Sequence, residues 1–175
     1  HVMTQLMRLF FKELFEYQLV QTDPNFANYQ YDEETQKIVL LDFGATRQYS
    51  KEMAEGYRSL MQGGYQHDKP QIRQAIIDIG LIKEELSEQV KQQITDLAHM
   101  SCEPLYQDAA YDFAASDLSS RLQQQGMVLG LEKEYAHTPS GNAIFLHRKL
   151  GGLFLLAIKL KAKVNMQRLF MLYTR

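Results

Sequence analysis

Apolar residues recur at helical spacing over residues 2–20, at Leu6, Leu9, Phe10, Leu14, Phe15 and Tyr17. This pattern predicts one amphipathic helix that ends at Thr22. Pro24 supports that end, because the residue before a proline is disfavoured in the helical conformation. Residues 21–28 are rich in Asp, Asn and Pro, which predicts an ordered loop after the helix.

Two short strands are predicted next, at residues 29–31 and 38–42. Residues 32–36 between them are polar and predict the turn of a β-hairpin. The acidic run at residues 32–34 is interpreted as a solvated turn rather than as a metal site. Gly44 marks the exit from the second strand.

The rest of the chain has the periodicity of helices, predicted at residues 51–62, 69–79, 83–100, 118–129 and 143–164. Ser87 is an expected N-terminal capping residue. Gly151 and Gly152 lie inside the last helix and cost about 1 kcal/mol each relative to alanine, so a close helix–helix contact is expected there. The pattern predicts a mainly α fold with a small β-hairpin, forming a single unit over residues 1–175.

Composition narrows the class of protein. The chain is 45% hydrophobic and 23% charged, with a formal net charge of −2, so no basic excess points to nucleic acid as a partner. Cys102 is the one cysteine, which excludes an intramolecular disulfide, and a core or loop position is expected for it. The most apolar stretch, residues 150–158, is far shorter than the ~20 residues that span a bilayer.

The sequence does not assign four other polar residues to a metal site. His67, His99 and His137 share no spacing typical of metal ligands, and surface or hydrogen-bonded positions are expected for them. For Arg47, a salt bridge near a metal and a structural role at the turn after Gly44 both stay open.

The residues best suited to catalysis and metal binding are Asp23, Asn28 and Asp42. Asn28 follows Asp23 by five residues, and Asp42 follows Asn28 by fourteen, with the predicted hairpin between them. Mg²⁺ prefers hard oxygen ligands, and Asp42 and Asn28 offer a carboxylate and an amide oxygen from two segments. The carboxylate of Asp23 suits a group that orients or deprotonates an attacking hydroxyl or water.

Each of these signals is weak alone. Asp-Phe-Gly at residues 42–44 is short enough to arise by chance, and an Asp five residues before an Asn is often an Asx turn. Their order, with the hairpin and the upstream helix, favours the protein-kinase arrangement. There the catalytic-loop Asp lies five residues before a metal-binding Asn, and the Asp of Asp-Phe-Gly follows.

Two strings at these positions resemble a known family. Gln-Thr-Asp-Pro-Asn at residues 21–25 and Leu-Asp-Phe-Gly-Ala-Thr-Arg at residues 41–47 are similar to the UbiB (aarF-domain) family of atypical, protein-kinase-like proteins. Residues 12–16, 146–152 and 159–163 also resemble it, so the likeness covers nearly the whole chain. It is closest to the branch of eukaryotic mitochondrial members and their bacterial relatives. The resemblance implies a protein-kinase-like C-terminal lobe.

The resemblance also implies roles and cofactors. It gives Asp23 the role of the catalytic-loop Asp, and it gives Asn28 and Asp42 the roles of Mg²⁺ ligands. The cofactors that it implies are ATP and Mg²⁺. It implies a full-length parent that is an ATP-hydrolysing atypical kinase or ATPase supporting ubiquinone biosynthesis. Gln21 and Thr22 stand where protein kinases have His-Arg, and no Ala-Pro-Glu follows. These departures favour transfer to water or a small molecule over transfer to peptides.

The nucleotide-gripping elements are not found between residues 1 and 175. No Gly- or Ala-rich nucleotide loop, strand lysine or Lys-x-Gly-Gln string occurs, so an N-terminal lobe is expected to precede His1, and the fragment alone is expected to be inactive.

From the resemblance, the expected partners are ATP or ADP, isoprenoid quinone-pathway lipids, a membrane surface and ubiquinone-biosynthesis proteins. The expected location is the bacterial cytoplasm or the mitochondrial matrix, peripheral on the inner membrane. Two alternatives stay open: a non-catalytic pseudokinase-like scaffold or lipid-ligand sensor, and a kinase that acts on peptides.

Overall fold

The structure, a computed structural model, describes residues 1–83, 85–131 and 141–174. Its α-helices are α1 Val2–Lys12, α2 Lys51–Gln66, α3 Lys69–Asp78, α4 Glu88–Ser101, α5 Leu118–Gly130, α6 Gly141–Lys159 and α7 Met166–Met171. Its strands are β1 Leu19–Gln21, β2 Tyr29–Asp32, β3 Lys37–Leu40, β4 Thr46–Gln48, β5 Tyr111–Asp112 and β6 Lys163–Val164. The mainly α composition with small β elements is confirmed.

The first helix is shorter than its sequence pattern predicts. α1 continues as a π-helical turn, Glu13–Tyr17, and stops at Gln18, whose backbone is left-handed with φ of 53°. The predicted helix as far as Thr22 is therefore wrong, because β1 follows and pairs with the distant strand β4. Ladder hydrogen bonds and the complete burial of Val20 outweigh the local helical pattern.

The predicted hairpin is present as β2 and β3. The carboxylate of Asp32 orders its turn, accepting hydrogen bonds from the backbone N–H of Glu34 at 2.9 Å and the hydroxyl of Thr35 at 2.6 Å. The exposure of these residues agrees with a solvated turn. The second strand stops at Leu40 and does not reach Asp42, so Asp42 lies just beyond the paired ladder.

The described residues contain more β structure than the one expected hairpin. They form three two-stranded antiparallel sheets, β1 with β4, β2 with β3, and β5 with β6. The last sheet corrects the helix predicted to residue 164. α6 ends at Lys159, Lys161 is left-handed with φ of 49°, and β6 then pairs with β5. α4 begins only after Ser87, whose hydroxyl accepts from the N–H of Val90 as its cap.

A hydrophobic core joins the two ends of the described chain. Phe11 and Phe15, from α1 and the turn after it, pack against Phe170 and Tyr173, with ring centroids 5.8 to 6.2 Å apart. Cys102 is also buried, and burial raises the pKa of its thiol to about 12. The expected core position for Cys102 is therefore confirmed. None of the described helices has the length and apolar character needed to cross a membrane.

Candidate functional site

The loop between β1 and β2 holds the first candidate residue, and we call residues 22–28 the Asp23 loop. The Asp23 carboxylate accepts a hydrogen bond from the N–H of Asn25 at 3.3 Å. The side chain of Asn25 in turn accepts from the N–H of Ala27 at 3.1 Å, and a 3₁₀ turn, Phe26–Asn28, completes the loop. Side chains that bond the backbone two residues ahead fix such loops, so Asn25 has a positioning role.

Asp23 and Asn28 are in direct contact. The Asn28 Nδ2 donates to Asp23 Oδ2 at 2.8 Å. An ionised carboxylate only accepts hydrogen bonds, so the amide nitrogen must face Asp23 and the amide oxygen must face away. No described residue donates a hydrogen bond to Asn28 Oδ1. The contact therefore leaves a hard oxygen of a nearly buried side chain available to another group.

The hairpin places Asp42 beside Asn28. The N–H of Leu41 donates to the carbonyl of Asn28 at 3.0 Å, which continues the β2–β3 ladder by one step. Asp42 is exposed, and its Oδ1 accepts from the N–H of Gly44 at 2.7 Å. This bond fixes one carboxylate oxygen, and no described residue donates to the other. Asn28 and Asp42 therefore sit at the same end of two paired strands, as their spacing predicts.

Thr22 fastens the Asp23 loop to the segment after Gly44. Both its N–H and its hydroxyl donate to the carbonyl of Ala45, at 3.1 and 2.7 Å. Thr22 is only 2% exposed, so these bonds are shielded from water. The next residue outward, Gln21, pairs with Thr46 in the β1–β4 ladder. The three candidate residues thus come from segments that are locked to one another.

α6 packs directly against the Asp23 loop. A Cβ added at Gly152 would lie 2.2 Å from Pro24 Cβ, so the helix backbone touches the loop directly, whereas Gly151 has nothing within 4 Å. The expected helix–helix contact at these glycines is wrong: the close approach is to a loop, at one glycine. Arg148 of the same helix lies 3.7 Å from Asp23 Oδ1. Both side chains are partly exposed, so this ion pair is worth less than about 1 kcal/mol.

A buried polar group of Glu13, Gln21, Tyr29 and Lys149, which we call the Lys149 cluster, lies beneath the loop. Lys149 is 3% exposed, and its ammonium donates to Gln21 Oε1 at 2.8 Å and to the hydroxyl of Tyr29. Burial lowers the pKa of Lys149 to about 8, opposed by Glu13 and Asp23. Burial raises the pKa of Glu13 to about 7, opposed by Lys149 and by the Gln21 backbone N–H. Sequence reasoning missed this cluster.

Replacing Glu13 by glutamine is expected to change how stability depends on pH. The folded pKa of Glu13 is raised above its ordinary 4.5 to about 7. Its contribution to stability is therefore fully present below pH 4.5 and is lost as the pH rises through 7. The wild type should lose about 2–3 kcal/mol of unfolding free energy relative to Glu13→Gln between pH 5 and pH 8. Urea unfolding at both pH values measures this, and a difference independent of pH would contradict it.

The donor set at Asn28 and Asp42 fits a magnesium ion. Asn28 Oδ1 and the second oxygen of Asp42 are hard ligands that the described residues leave free of donated hydrogen bonds. Within the described ranges no three His, Cys, Asp or Glu side chains form a group suited to a metal. Mg²⁺ in phosphoryl transfer needs no such cage, since it is held by one or two carboxylates with waters and substrate phosphates.

Arg47 and His147 both have structural contacts. The Arg47 guanidinium lies 3.6 Å from the centroid of the Phe145 ring on α6, which favours the structural role over a salt bridge near a metal. His147 Nε2 lies 2.9 Å from the hydroxyl of Tyr57, and burial lowers the pKa of His147. Both residues attach α6 to the elements around the site.

His67 and His99 are brought together, which their spacing did not indicate. His67 Nδ1 lies 3.3 Å from His99 Nε2, and both rings contact the ring of Tyr106. Burial lowers the pKa of His99, and neighbouring Lys69 and His67 add to the effect. The described residues supply no third ligand here. His137 lies outside the described residues.

Comparison with known proteins identifies the family. Residues 1–76 match the ABC1 atypical kinase-like domain. The rat (Rattus norvegicus) mitochondrial atypical kinase COQ8B is 32% identical over 166 residues, 95% of this chain and 31% of the relative. The mitochondrial atypical kinase COQ8 of Saccharomyces cerevisiae is 32% identical over 168 residues, 94% of this chain and 33% of the relative. Residues 1–76 thus match the ABC1 domain, and nearly the whole chain is similar to COQ8 atypical kinases, which belong to the UbiB family.

These matches confirm the resemblance seen at residues 21–25 and 41–47. They also confirm the protein-kinase-like fold class, because the ABC1 domain is kinase-like and the described residues have the mainly α composition expected of the C-terminal lobe. The COQ8 relative from Schizosaccharomyces pombe is likewise 32% identical, over 97% of this chain and 28% of its own length. The chain thus spans about a third of the length of these ABC1 relatives.

Proposed function

We propose that this chain is the catalytic, metal-holding lobe of a Mg²⁺-dependent, ATP-hydrolysing atypical kinase that supports ubiquinone biosynthesis. The observation that carries the proposal is the convergence of Asp23, Asn28 and Asp42 on one site. Thr22 locks the Asp23 loop to the segment after Asp42, and the hairpin joins Asn28 to that segment. Phosphoryl transfer depends on such positioning and on electrostatic stabilisation more than on covalent chemistry by the protein.

Each candidate residue has a distinct task. Asp42 and Asn28 Oδ1 would hold Mg²⁺, which would neutralise charge on the phosphate oxygens of ATP. Asp23 orients the attacking water or hydroxyl and accepts its proton, at a carboxylate held in place by Asn28 and the N–H of Asn25. Arg148 adds a positive charge beside Asp23.

The grip on ATP comes from a separate nucleotide-binding lobe. Exposed apolar side chains next to Asp42 support this: Val39, Leu41 and Phe43 are 41%, 50% and 59% exposed. Exposed apolar residues close together in the chain offer a surface on which another lobe can pack. The isolated chain of residues 1–175 should bind nucleotide weakly and be inactive.

Water or a small molecule is the proposed acceptor. Gln21 occupies a position that protein kinases give to histidine, and here its side chain is bonded to Lys149 inside the protein. α2 begins at Lys51, soon after Gly44, which leaves little length for a peptide-binding activation segment. The proposed location is the mitochondrial matrix or the bacterial cytoplasm, and the names of the mitochondrial relatives support the first of these. Lipid intermediates and a membrane surface are proposed partners.

Phosphate release from ATP by the full-length protein tests this proposal. Release should require Mg²⁺ and change when an isoprenoid-like phenol is added, while a generic acceptor protein should receive no phosphate. Nucleotide binding without release would instead support the pseudokinase-like scaffold. Phosphate on the acceptor protein would support a peptide kinase.

A further inference from the structure

Lys149 contacts both ends of the Asp23 loop. Gln21 immediately precedes the loop and Tyr29 immediately follows it, and the same ammonium donates to both side chains. Gln21 lies two residues before Asp23, and Tyr29 is adjacent to Asn28. A single cation from a helix more than a hundred residues away in sequence thus spans the two positions from which the loop departs and returns.

The unfavourable burial of the Lys149 ammonium argues that this residue has a functional role. Burying an ammonium is unfavourable unless it is well paired, and an apolar residue of similar size often serves stability as well. Lys149 is bonded here to two neutral groups rather than directly to a carboxylate, and Glu13 Oε2 and Gln21 Nε2 have no partner among the described residues. A cluster with unsatisfied atoms is a poor solution for stability alone.

The contacts of Lys149 all lead to the Asp23 loop. Gln21 receives the ammonium at its side chain, and its backbone N–H opposes the effect of burial on the pKa of Glu13. The neighbouring turns of α6 touch the loop as well, with Gly152 against Pro24. Shifting the ammonium would release the side chain that anchors the start of the loop.

We propose that Lys149 is a positioning residue for phosphoryl transfer, holding Gln21 and Tyr29 so that Asp23 and Asn28 keep their geometry. This inference rests on the proposed function, since it assigns Lys149 to the same site. Lys149 acts through its neighbours and is not itself expected to touch ATP.

The test compares Lys149→Met with Lys159→Met in the full-length protein. Both lysines are on α6, but Lys159 is exposed at its end and serves as the matched control. Lys149→Met should lower kcat about ten- to a hundredfold, because small displacements of a catalytic group cost that much. KM for ATP should stay within about twofold, since nucleotide binding is not altered. Lys159→Met should match the wild type, and equal kcat values for the two variants would overturn the inference.

A double variant separates positioning from stability. Glu13→Gln with Lys149→Met removes both charges of the cluster, so the folded fraction and melting temperature should return towards wild type. If Lys149 only stabilises the fold, kcat will recover with the melting temperature, and this result would refute the inference. A folded double variant that stays slow supports it. Failure of both variants to fold also counts against it, because that places the role of Lys149 in stability.

Asp42→Asn, assayed in parallel, separates this inference from the proposed function. If the wild type shows no Mg²⁺-dependent turnover, or if Asp42→Asn retains it, the proposed function itself fails. If wild-type turnover is lost in Asp42→Asn but kept in Lys149→Met, only the role of Lys149 is wrong.

Discussion

Replacing Asp42 by asparagine should abolish Mg²⁺-dependent ATP turnover by the full-length protein. Asparagine has nearly the same shape and keeps an oxygen that can accept the 2.7 Å hydrogen bond from Gly44. What it loses is the negative charge that is proposed to hold the metal. Loss of a metal contact costs several kcal/mol of transition-state stabilisation, which corresponds to a fall in kcat/KM of about a hundred- to a thousandfold or more. Steady-state phosphate release across a range of Mg²⁺ concentrations measures the effect.

Glu33→Gln is the matched control for Asp42→Asn. It makes the same acid-to-amide change on the same hairpin, at an exposed turn residue. If charge near the hairpin mattered only in general, both variants would slow turnover alike. We expect turnover within about twofold of wild type for Glu33→Gln, since an exposed charge away from the site is screened by solvent. Loss of activity in the control would revive the acidic run as a metal site.

The candidate site was predictable because its signals are local. Asp23 and Asn28 lie in one loop, and a short polar turn decides that β2 and β3 pair, which brings Asn28 next to the segment with Asp42. Hairpins of this kind follow from apolar runs and turn residues within a short window. The roles of these three residues remain predictions, supported by their geometry.

The long-range contacts that hold the site together were not predictable from the same patterns. β1 resembles the end of a helix in sequence and becomes a strand only because β4 pairs with it. In the sequence Lys149 looks like part of an exposed basic run. In the structure it is buried and bonded to Gln21, which is 128 residues away in sequence. Burial of a charged side chain depends on partners that a local pattern does not contain. The signal in the sequence is that Lys149 lies three residues after Leu146 and four before Leu153, on the same stripe of α6.

A glycine-to-alanine pair on α6 should separate loop support from helix propensity. Gly152→Ala places a Cβ 2.2 Å from Pro24 Cβ and 3.4 Å from Pro24 Cα, so either the Asp23 loop or the helix must shift. Overpacking of this kind costs about 1–3 kcal/mol of stability. A loop displaced by about 1 Å also misplaces Asp23, and kcat should fall by up to about a hundredfold.

Gly151→Ala makes the identical change one residue earlier, where nothing lies within 4 Å. It should raise stability by up to about 1 kcal/mol, because alanine is the better helix former, and leave kcat unchanged. Melting temperature and phosphate release of the two full-length variants measure both effects. If Gly152→Ala is as stable and active as Gly151→Ala, the helix does not support the loop. Because propensity acts equally at the two positions, any difference between them reports the contact with Pro24, and so the dependence of the Asp23 loop on α6.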